Sequence, residues 1–186
     1  MILKNKTALI TGSNRGIGLA ILKNFAKNGC NIYAHTRIST DEFKLIIKEM
    51  SKKYKVRITN INFDLRNQSE IKSSILSLIK LKEPIDILIN SAGIIHGGLF
   101  QMTPISNIRD VFNVNFFSML EITQLISKSM IRQKKGNIIN IASVAGIDLS
   151  TGNCAYGTSK SAIISFSKTL SSELSNYGIR VNVIAP

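Results

Sequence analysis

Short apolar runs alternate with longer amphipathic stretches along the whole chain. The apolar runs are rich in Ile and Val and predict six strands, which are Thr7–Thr11, Asn31–Thr36, Val56–Phe63, Ile85–Asn90, Asn137–Ser143 and Arg180–Ile184. The stretches between them have helical periodicity and predict helices over Ile17–Asn28, Thr40–Tyr54, Ser69–Leu81, Ile105–Arg132 (with a break) and Ala155–Tyr177. Several strands are almost wholly apolar, which is typical of parallel strands that are buried on both faces.

The alternation of strands with helices predicts an α/β fold of the Rossmann type, in which a doubly wound parallel sheet lies between two helical layers (αβα). Local signals agree: Asp41 and Glu42 place acid in the first turn of the second helix, and Gly29 and Gly178 stand at C-cap positions. No repeat, low-complexity tract or linker interrupts the pattern, so residues 1–186 are interpreted as a single domain. In such a sheet the ligand site lies at the carboxyl ends of the strands.

Composition excludes several classes of protein. The 186 residues are 44% hydrophobic with only 3 Pro, which argues against disorder. No apolar stretch is long enough to cross a bilayer. The two cysteines, Cys30 and Cys154, have no metal-ligand spacing, so no metal site is expected. The first residues carry no secretion signal, so a cytoplasmic location is expected.

The net charge of +13, from 24 basic and 11 acidic residues, raises the question of a polyanionic partner. The lysines are spread along the chain, with short clusters at 52–55 and 132–135, and no arginine-rich or aromatic-interleaved stripe appears. We therefore expect neither a nucleic-acid partner nor a membrane partner. A nucleic-acid binder that rests on charge alone is kept as an alternative.

Tyr156 and Lys160 have the spacing Tyr-x-x-x-Lys within the last predicted helix. Residues four apart lie on one face of a helix, so the phenol and the ammonium become neighbours. A cation beside a phenol favours the phenolate and allows proton transfer near neutral pH. Ser143 lies upstream of the tyrosine and adds a hydroxyl that can hold a carbonyl or alcohol oxygen. The alternative for the pair alone is an ordinary contact on a helix surface.

A glycine-rich loop, residues 11–18 (TGSNRGIG), follows the first strand and opens the first helix. Gly12 permits a tight turn, Gly16 lets the backbone approach a pyrophosphate, and Gly18 permits close packing of helix on strand. The N–H groups at the start of the helix would face the phosphates. This context predicts a dinucleotide-binding loop, although the spacing is Gly-x-x-x-Gly-x-Gly rather than Gly-x-Gly-x-x-Gly.

Taken in order, these motifs resemble the short-chain dehydrogenase/reductase family in its compact single-domain form. The matching residues run through the whole chain and are 11–18, Asp64-Leu65, Asn90-Ser91-Ala92-Gly93, Asn115, Ser143, Tyr156, Lys160 and 181–186 (VNVIAP). The resemblance implies a dinucleotide-binding and catalytic domain of the Rossmann type. It also implies an oxidoreductase that transfers a hydride between a nicotinamide nucleotide and a carbonyl or secondary alcohol.

The resemblance further implies a role for each matching residue. Tyr156 is the general acid and base, and Lys160 assists it and binds the nicotinamide ribose. Ser143 positions the substrate oxygen, and Asn115 completes a proton relay through water. The implied cofactor contacts are Gly12, Ser13, Asn14, Arg15, Gly16, Ile17 and Gly18 around the pyrophosphate, Asp64 and Leu65 at the adenine, and Asn90, Ala92 and Gly93 beneath the adenosine ribose.

The choice of nucleotide depends on the charge near the end of the second strand. An acidic side chain there accepts the ribose 2′-hydroxyl of NAD, whereas an arginine accommodates the 2′-phosphate of NADP. The chain has Arg37 at this point, no acid before Asp41, and Arg15 in the glycine loop directed toward the same region. We therefore predict a preference for NADP(H) over NAD(H), and reduction as the direction in the cell. The alternative is that Arg37 only caps a solvated loop.

Two further groups of residues lie near the predicted site. His96 could touch a substrate and His35 stands near the adenosine phosphate, but both are interpreted as loop residues. Three apolar residues, Phe100, Met102 and Ile147, could form a wall of the substrate pocket, with core packing as the favoured role for each.

Within the family, residues 93–132 and 143–146 are most like bacterial 3-oxoacyl-acyl carrier protein reductases, enzymes of fatty acid biosynthesis. The positive charge and Lys134-Lys135 would suit an acidic carrier protein, although Tyr177 stands where the resemblance leads us to expect a second cation. Reduction of a sugar or another small ketone is an alternative, as is a non-catalytic NADP-binding sensor or scaffold. Apolar residues on more than one face of 105–132 and 155–177 predict a homodimer or homotetramer.

The motif at 181–186 usually continues with glycine in this family. We therefore expect the chain to be a fragment whose sheet is truncated before its last strand. The substrate lid and the final helix are expected to be absent as well, and with them most of the information on substrate identity.

Overall fold

The computed structural model describes residues 1–148 and 150–186, which form a six-stranded parallel sheet. The strands are β1 Thr7–Ile10, β2 Asn31–Thr36, β3 Ile58–Asn62, β4 Ile87–Asn90, β5 Gly136–Ile141 and β6 Ile179–Ile184. Their order in the sheet is β3-β2-β1-β4-β5-β6, so the winding reverses between β1 and β4. All six predicted strands are confirmed, and the Rossmann-type α/β fold class is confirmed with them.

Helices connect successive strands and cover both faces of the sheet. They are α1 Gly16–Lys27, α2 Asp41–Tyr54, α3 Gln68–Lys80, α4 Ile105–Phe112, α5 Ser118–Gln133 and α6 Cys154–Ser175. The predicted break between α4 and α5 is instead a π turn over Asn113–Phe117, so the helix continues with one wider turn. The glycines at the ends of α1 and α6 are confirmed as C-cap glycines, since Gly29 and Gly178 have φ angles of +87° and +70°.

The core consists of two apolar layers that the sheet separates. Successive strand residues point to opposite faces, so Leu9 and Ile10 of β1 enter different layers. Leu9 packs in the layer that holds α3 and α5, where Ile75 and Ile126 are fully buried. Ile10 packs in the layer that holds α1 and α2. This double burial explains why the strand sequences lack polar alternation.

The basic residues are scattered in sequence but gathered in space. Every helix between strands ends at the edge where the strands begin, and we call this edge the amino edge. It comprises the last turn of each helix and the start of the next strand, and its 13 basic residues are Lys4, Lys6, Lys27, Lys52, Lys53, Lys55, Arg57, Lys80, Lys82, Arg132, Lys134, Lys135 and Arg180. Cations there complement the negative ends of the helix dipoles. The opposite edge, where the strands end, is correspondingly less basic.

Within the described residues, no helix combines the length and the apolar character that a bilayer crossing requires. The same part of the chain contains no group of three or more His, Cys, Asp or Glu side chains arranged to hold a metal ion.

Candidate active site

The predicted site residues converge at the carboxyl edge of the sheet, where β1, β4 and β5 end. The glycine loop follows β1, the segment with Ala92 and Gly93 follows β4, and Ser143 follows β5. The first turn of α6 and the π turn between α4 and α5 approach the same edge. Because parallel strands end on one side of the sheet, segments far apart in sequence become neighbours there.

Lys160 brings an ammonium into the interior at this edge. The residue is 4% exposed, and its Nζ donates a hydrogen bond to the carbonyl oxygen of Ile141 at 2.9 Å. Burial lowers the pKa of Lys160 to about 8, because desolvation disfavours the charged form. The Nζ atom lies 5.7 Å from the ring centroid of Tyr156, so the helical spacing places the cation beside the phenol.

Tyr156 and Ser143 lie on two different segments that pack closely against each other. Tyr156 lies in the first turn of α6. Ser143 precedes a short 3-10 turn over Val144–Gly146, and its Oγ accepts a hydrogen bond from the Ala145 amide at 3.2 Å. Gly146 lets this turn approach α6 closely, because a Cβ there would lie 2.7 Å from the Lys160 carbonyl carbon. The glycine thus fixes the distance between the serine segment and the helix.

Asn115 is held rigidly inside the π turn. It is 1% exposed, its Oδ1 accepts from the Ile94 amide at 2.8 Å, and its Nδ2 donates to the Ile94 carbonyl at 3.0 Å. The same Nδ2 donates to Oγ of Ser159 at 3.1 Å. A π turn at this position is consistent with a functional site, since such turns often occur there. Ser159 was not predicted from the sequence.

Gly93 shows how close Asn115 and Lys160 come to each other. A Cβ built on Gly93 would lie 3.2 Å from Asn115 Oδ1 and 3.5 Å from Lys160 Nζ. The segment after β4 therefore runs between the asparagine and the lysine. A larger residue at this position would press on both side chains.

The glycine loop packs tightly on two sides. A Cβ on Gly18 would lie 2.1 Å from the Gly12 carbonyl oxygen, so only glycine permits this contact between α1 and the loop. Gly12 has a φ angle of +67°, and a Cβ there would lie 2.9 Å from Ala92 Cα. At Gly16, by contrast, a Cβ would have no atom within 4 Å. The loop is therefore closed toward the sheet and open above the start of α1.

The start of α1 is suited to an anion. Its N-cap residue, Arg15, makes no side-chain cap hydrogen bond, and the first turn contains no acidic residue. The first N–H groups of a helix need acceptors from outside the helix, and a phosphate supplies them. Ser13 is turned inward instead, because its Oγ donates to the Ile10 carbonyl at 2.7 Å. The glycine loop, which is open above the start of α1, and the uncapped N-terminus of that helix together fit the pyrophosphate of a dinucleotide.

Thr11 and Asn90 hold the ends of the central strands together. Thr11 Oγ1 accepts from the amides of Ser91 and Ala92 at 3.0 and 3.1 Å, a link that the sequence did not reveal. Asn90 Nδ2 donates to Asn140 Oδ1 at 2.8 Å, which ties β4 to β5. Asn90 Oδ1 is buried and has no hydrogen-bond partner among residues 1–148 and 150–186, and it lies beside a cavity of about 10 Å³. That volume is close to the space one water needs.

The segment after β3 is anchored to α4. The Asp64 carboxylate accepts from the backbone N–H of Arg66 at 2.9 Å. The Arg66 guanidinium donates to both oxygens of Asp110 in α4, at 2.7 and 2.9 Å. Leu65 packs against the core layer that contains α3 and α5. Asp64 and Leu65 therefore have a fixed backbone next to the end of β2.

Arg15 and Arg37 are both exposed. Arg15 directly precedes α1, and Arg37 directly follows β2. Within residues 1–148 and 150–186, neither guanidinium forms an ion pair with a carboxylate. The first acidic residue after β2 is Asp41, whose carboxylate pairs with Lys44 at 2.9 Å. The chain directly after β2 therefore carries an exposed arginine and has no acidic residue before Asp41.

Two predictions about neighbouring residues are wrong. The interpretation of His35 as a loop residue is wrong and the strand predicted over Asn31–Thr36 is right, since His35 lies within β2 and is 2% exposed. Core packing is wrong for Phe100, Met102 and Ile147, which are 64%, 76% and 67% exposed. These apolar residues lie after β4 and β5, in connections near the carboxyl edge. Sequence pattern alone does not separate an apolar loop residue from a core residue.

Comparison with known proteins agrees with this geometry. The profile of the short chain dehydrogenase family matches residues 6–186. The chain is 34% identical over 184 residues to the 3-oxoacyl-[acyl-carrier-protein] reductase FabG of Aquifex aeolicus, covering 99% of this chain and 74% of that protein. It is 32% identical over 184 residues to the ketoacyl reductase HetN of Nostoc sp., covering 99% of this chain and 63% of that protein.

Solved structures of the same fold superpose closely. A putative NAD(P)-dependent gluconate 5-dehydrogenase from Beutenbergia cavernae, with bound NADP, has a TM-score of 0.92 at 28% identity, covering 99% of this chain and 72% of that one. An NAD⁺-bound xylitol dehydrogenase has a TM-score of 0.92 at 29% identity, covering 100% and 71%. The chain belongs to the short-chain dehydrogenase family. It is an oxidoreductase, and among its curated relatives it is similar to FabG reductases.

The burial of Lys160 predicts a pH-dependent stability. The pKa of this side chain is about 8 in the folded chain, against an ordinary value of 10.5. Between these two values the unfolded chain binds one more proton, so the free energy of unfolding rises with pH, by about 3 kcal/mol across the window. Burial raises the pKa of the Cys30 thiol and of the Tyr33 phenol, and this opposes the rise at high pH in every variant. Urea titrations from pH 7 to 11 without nucleotide should therefore show the effect of Lys160 as a difference: the free energy of unfolding of the wild type relative to that of Lys160→Met should rise by about 3 kcal/mol across the window.

The matched control is Lys168→Met, which removes an exposed lysine from the same helix. This variant should keep the wild-type dependence on pH. The same dependence on pH in Lys160→Met as in the wild type would show that the Lys160 ammonium is not the desolvated group.

Proposed function

We propose that the chain is an NADP(H)-dependent reductase of a carbonyl group, with Tyr156 as general acid and base. The observation that carries the proposal is the convergence of Tyr156, Lys160 and Asn115 at the edge where the glycine loop opens. Proton-transfer groups and a phosphate cradle are both needed for this reaction, and they lie on the same side of the sheet. We also propose that residues 1–186 act as one dinucleotide-binding and catalytic domain.

Each side chain has a definite task in the proposed reaction. Bound NADP(H) supplies the hydride for the carbonyl carbon, or accepts it in the reverse direction. Tyr156 donates its proton to the carbonyl oxygen as negative charge develops there. The Lys160 ammonium stabilises the resulting phenolate, and the Ser143 hydroxyl donates a hydrogen bond to the reacting oxygen. Asn115 is fixed by Ile94 and Ser159, so it can hold a water near Lys160 through which the proton is replaced.

Replacement of Tyr156 by Phe tests the assignment of the general acid. Loss of the acid should lower the rate of ketone reduction roughly 10²- to 10⁴-fold. The affinity for NADP⁺, measured by calorimetry, should change little because the cradle is untouched. Tyr177→Phe is the control, since Tyr177 is exposed near the amino edge and should leave the rate unchanged.

This experiment also separates the enzyme from a non-catalytic sensor. A sensor would bind NADP⁺ in both forms and reduce no ketone in either. Equal turnover by the wild type and Tyr156→Phe would refute the catalytic role of the tyrosine.

The preference for NADP(H) rests on charge at the end of β2. Arg15 and Arg37 are exposed there and lack carboxylate partners in the described part of the chain. A 2′-phosphate would be attracted by both guanidiniums, whereas the 2′-hydroxyl of NAD would find no acidic acceptor before Asp41. The adjacent cationic groups therefore support NADP(H) over NAD(H).

Arg37→Ala tests this preference. Charge-assisted contacts to a phosphate should be lost, so the KM for NADPH should rise roughly 10- to 100-fold. The KM for NADH should stay within about twofold, because that nucleotide lacks the 2′-phosphate. Arg132→Ala removes an exposed arginine at the amino edge and should alter neither value. An equal rise for both nucleotides would overturn the assignment of Arg37.

We favour a 3-oxoacyl group presented by an acyl carrier protein as the substrate, because the similar FabG proteins are named for that reaction. Lys134 and Lys135 lie at the amino edge, whereas Tyr156 lies at the carboxyl edge. Contact of a carrier with these lysines therefore does not place the acyl group at the tyrosine of the same chain. A second subunit would have to supply the cations or the tyrosine. Reduction of a sugar or small ketone stays the alternative, and a ketone panel discriminates them.

We propose a homodimer or homotetramer that pairs the surface formed by α5, α6 and the π turn. Phe117 in the π turn is 52% exposed, and its ring meets that of Phe116 edge to face at 5.6 Å. Phe116, Leu120 and Phe166 form a partly buried cluster beside it. Burial of this apolar surface would favour association. Light scattering should give a multiple of the monomer mass for the wild type and a smaller mass for Phe117→Lys.

The control for assembly is Leu45→Lys, which introduces the same charge at an exposed leucine of α2. This variant should keep the wild-type mass. A monomeric wild type, or an unchanged mass in Phe117→Lys, would contradict the proposed interface.

A further inference from the structure

The side chain of His35, a residue of β2, is buried between the glycine loop and the segment after β3. It is 2% exposed, and its ring lies against that of Phe63, with a centroid distance of 4.0 Å. Its backbone also supports the loop, because the His35 carbonyl accepts from the Ser13 amide at 2.9 Å. His35 and Phe63 lie outside the motifs that carry the family resemblance, and the reaction proposed above makes no use of the imidazole.

The two ring nitrogens of His35 form hydrogen bonds to two segments of the proposed nucleotide site, the glycine loop and the segment after β3. The Gly12 amide donates to Nδ1 at 3.4 Å, and Nε2 lies 3.0 Å from the Phe63 carbonyl oxygen. An amide donor requires an unprotonated Nδ1, and a carbonyl acceptor requires a proton on Nε2. The neutral Nε2–H tautomer satisfies both partners, whereas the imidazolium would direct an N–H at the Gly12 amide.

We infer that His35 is a positioning residue for nucleotide binding. Its neutral imidazole links the glycine loop, where the pyrophosphate would bind, to the segment with Asp64 and Leu65, which would contact the adenine. One bond orients the peptide of Gly12, at the turn that opens the loop. The other orients the Phe63 carbonyl, immediately before Asp64 and Leu65. The inference rests on the proposed nucleotide site and adds a residue that would set its geometry without touching the nucleotide.

The surroundings keep the imidazole in the required form at working pH. Burial lowers the pKa of His35 to about 4, although the bond to the Phe63 carbonyl and the nearby Asp64 carboxylate oppose this effect. Asp64 is the charged group that faces the ring from the β3 side, and the glycine-loop side contributes the Gly12 amide. When the pH falls below the pKa of His35 in the folded chain, the ring gains a proton and Nδ1 no longer accepts the hydrogen bond from the Gly12 amide. The glycine loop then loses one of its two hydrogen bonds to β2.

Three substitutions separate the two bonds. His35→Asn places an amide near the Nδ1 position and can keep the bond to Gly12. His35→Gln reaches toward the Nε2 position and can keep the bond to the Phe63 carbonyl. His35→Leu keeps neither bond. Phe43→Leu is the control for stability, because Phe43 is a buried aromatic residue of α2 that bonds to neither cofactor segment.

Calorimetry of NADP⁺ binding to the folded protein is the first measurement. We expect the Kd to rise roughly 10- to 30-fold in His35→Leu and about fivefold in His35→Asn and His35→Gln, as hydrogen bonds of ordinary strength are lost. Phe43→Leu should keep the wild-type Kd even where it lowers the midpoint of unfolding. At saturating nucleotide, kcat should stay within about twofold in all four variants.

Nuclear magnetic resonance provides a measurement that needs no turnover. The imidazole nitrogens of His35 should show the Nε2–H tautomer near neutral pH. Exchange of the Gly12 amide proton should be faster in His35→Gln and His35→Leu than in His35→Asn, which retains an acceptor. The Kd of the wild type should also increase below pH 5, and His35→Asn should lack that increase.

The outcomes distinguish the inference from the function on which it rests. If the wild type fails to bind NADP⁺ or NAD⁺, the proposed function fails first. If the wild type binds and His35→Leu binds equally well, the inference about His35 is overturned while the function stands. A Kd that follows unfolding midpoints in all variants, Phe43→Leu included, would reduce His35 to a packing role and would also overturn it.

Discussion

The burial of the Lys160 ammonium is the constraint around which the carboxyl edge of the sheet is arranged. Desolvation of a charge is costly, and here it is offset in part by the 2.9 Å hydrogen bond to the Ile141 carbonyl. That bond ties α6 to the end of β5, and Gly93 admits the Nζ atom close to the end of β4. The same placement sets the ammonium 5.7 Å from the ring centroid of Tyr156. The Lys160 ammonium thus lowers the stability of the fold but lies where the proposed proton transfer from Tyr156 needs a cation.

The nucleotide side of the edge depends on close approach rather than on charge burial. Gly18 meets the Gly12 carbonyl and Gly12 meets Ala92, so the loop is pressed against both α1 and β4. Within the described residues the start of α1 has no side-chain cap, so its backbone N–H groups are available to an anion such as a phosphate. In the proposed function a shift of this loop would weaken nucleotide binding, so the buried hydrogen bonds of His35 beneath it are expected to affect the Kd.

Much of this architecture follows from local pattern. The strand runs are apolar because both faces are covered, and all six were predicted within two residues of their observed ends. The glycine loop and Tyr156-x-x-x-Lys160 were recognisable because their chemistry is set by spacing along one loop or one helix. The contacts of His35 and Ser159 carried no such signal, and Thr11 was recognisable only as the first residue of the glycine loop, without its link to the segment after β4. Each is an ordinary polar residue whose partner lies 23 to 81 positions away, so its role exists only once the chain is folded.

By itself, the sequence determined the fold class, and it predicted the phosphate loop and the acid–base pair on which the proposed function rests. Periodicity and short-range spacing encode all three, because they depend on residues within one element or on one side of it. Only the tertiary structure decided how deeply Lys160 is buried, that Asn115 sits in a π turn, and that half of the basic residues gather at the amino edge. It also decided that His35 is a buried tie rather than a loop residue. These properties depend on long-range packing, which removes water from some groups and brings distant segments into contact.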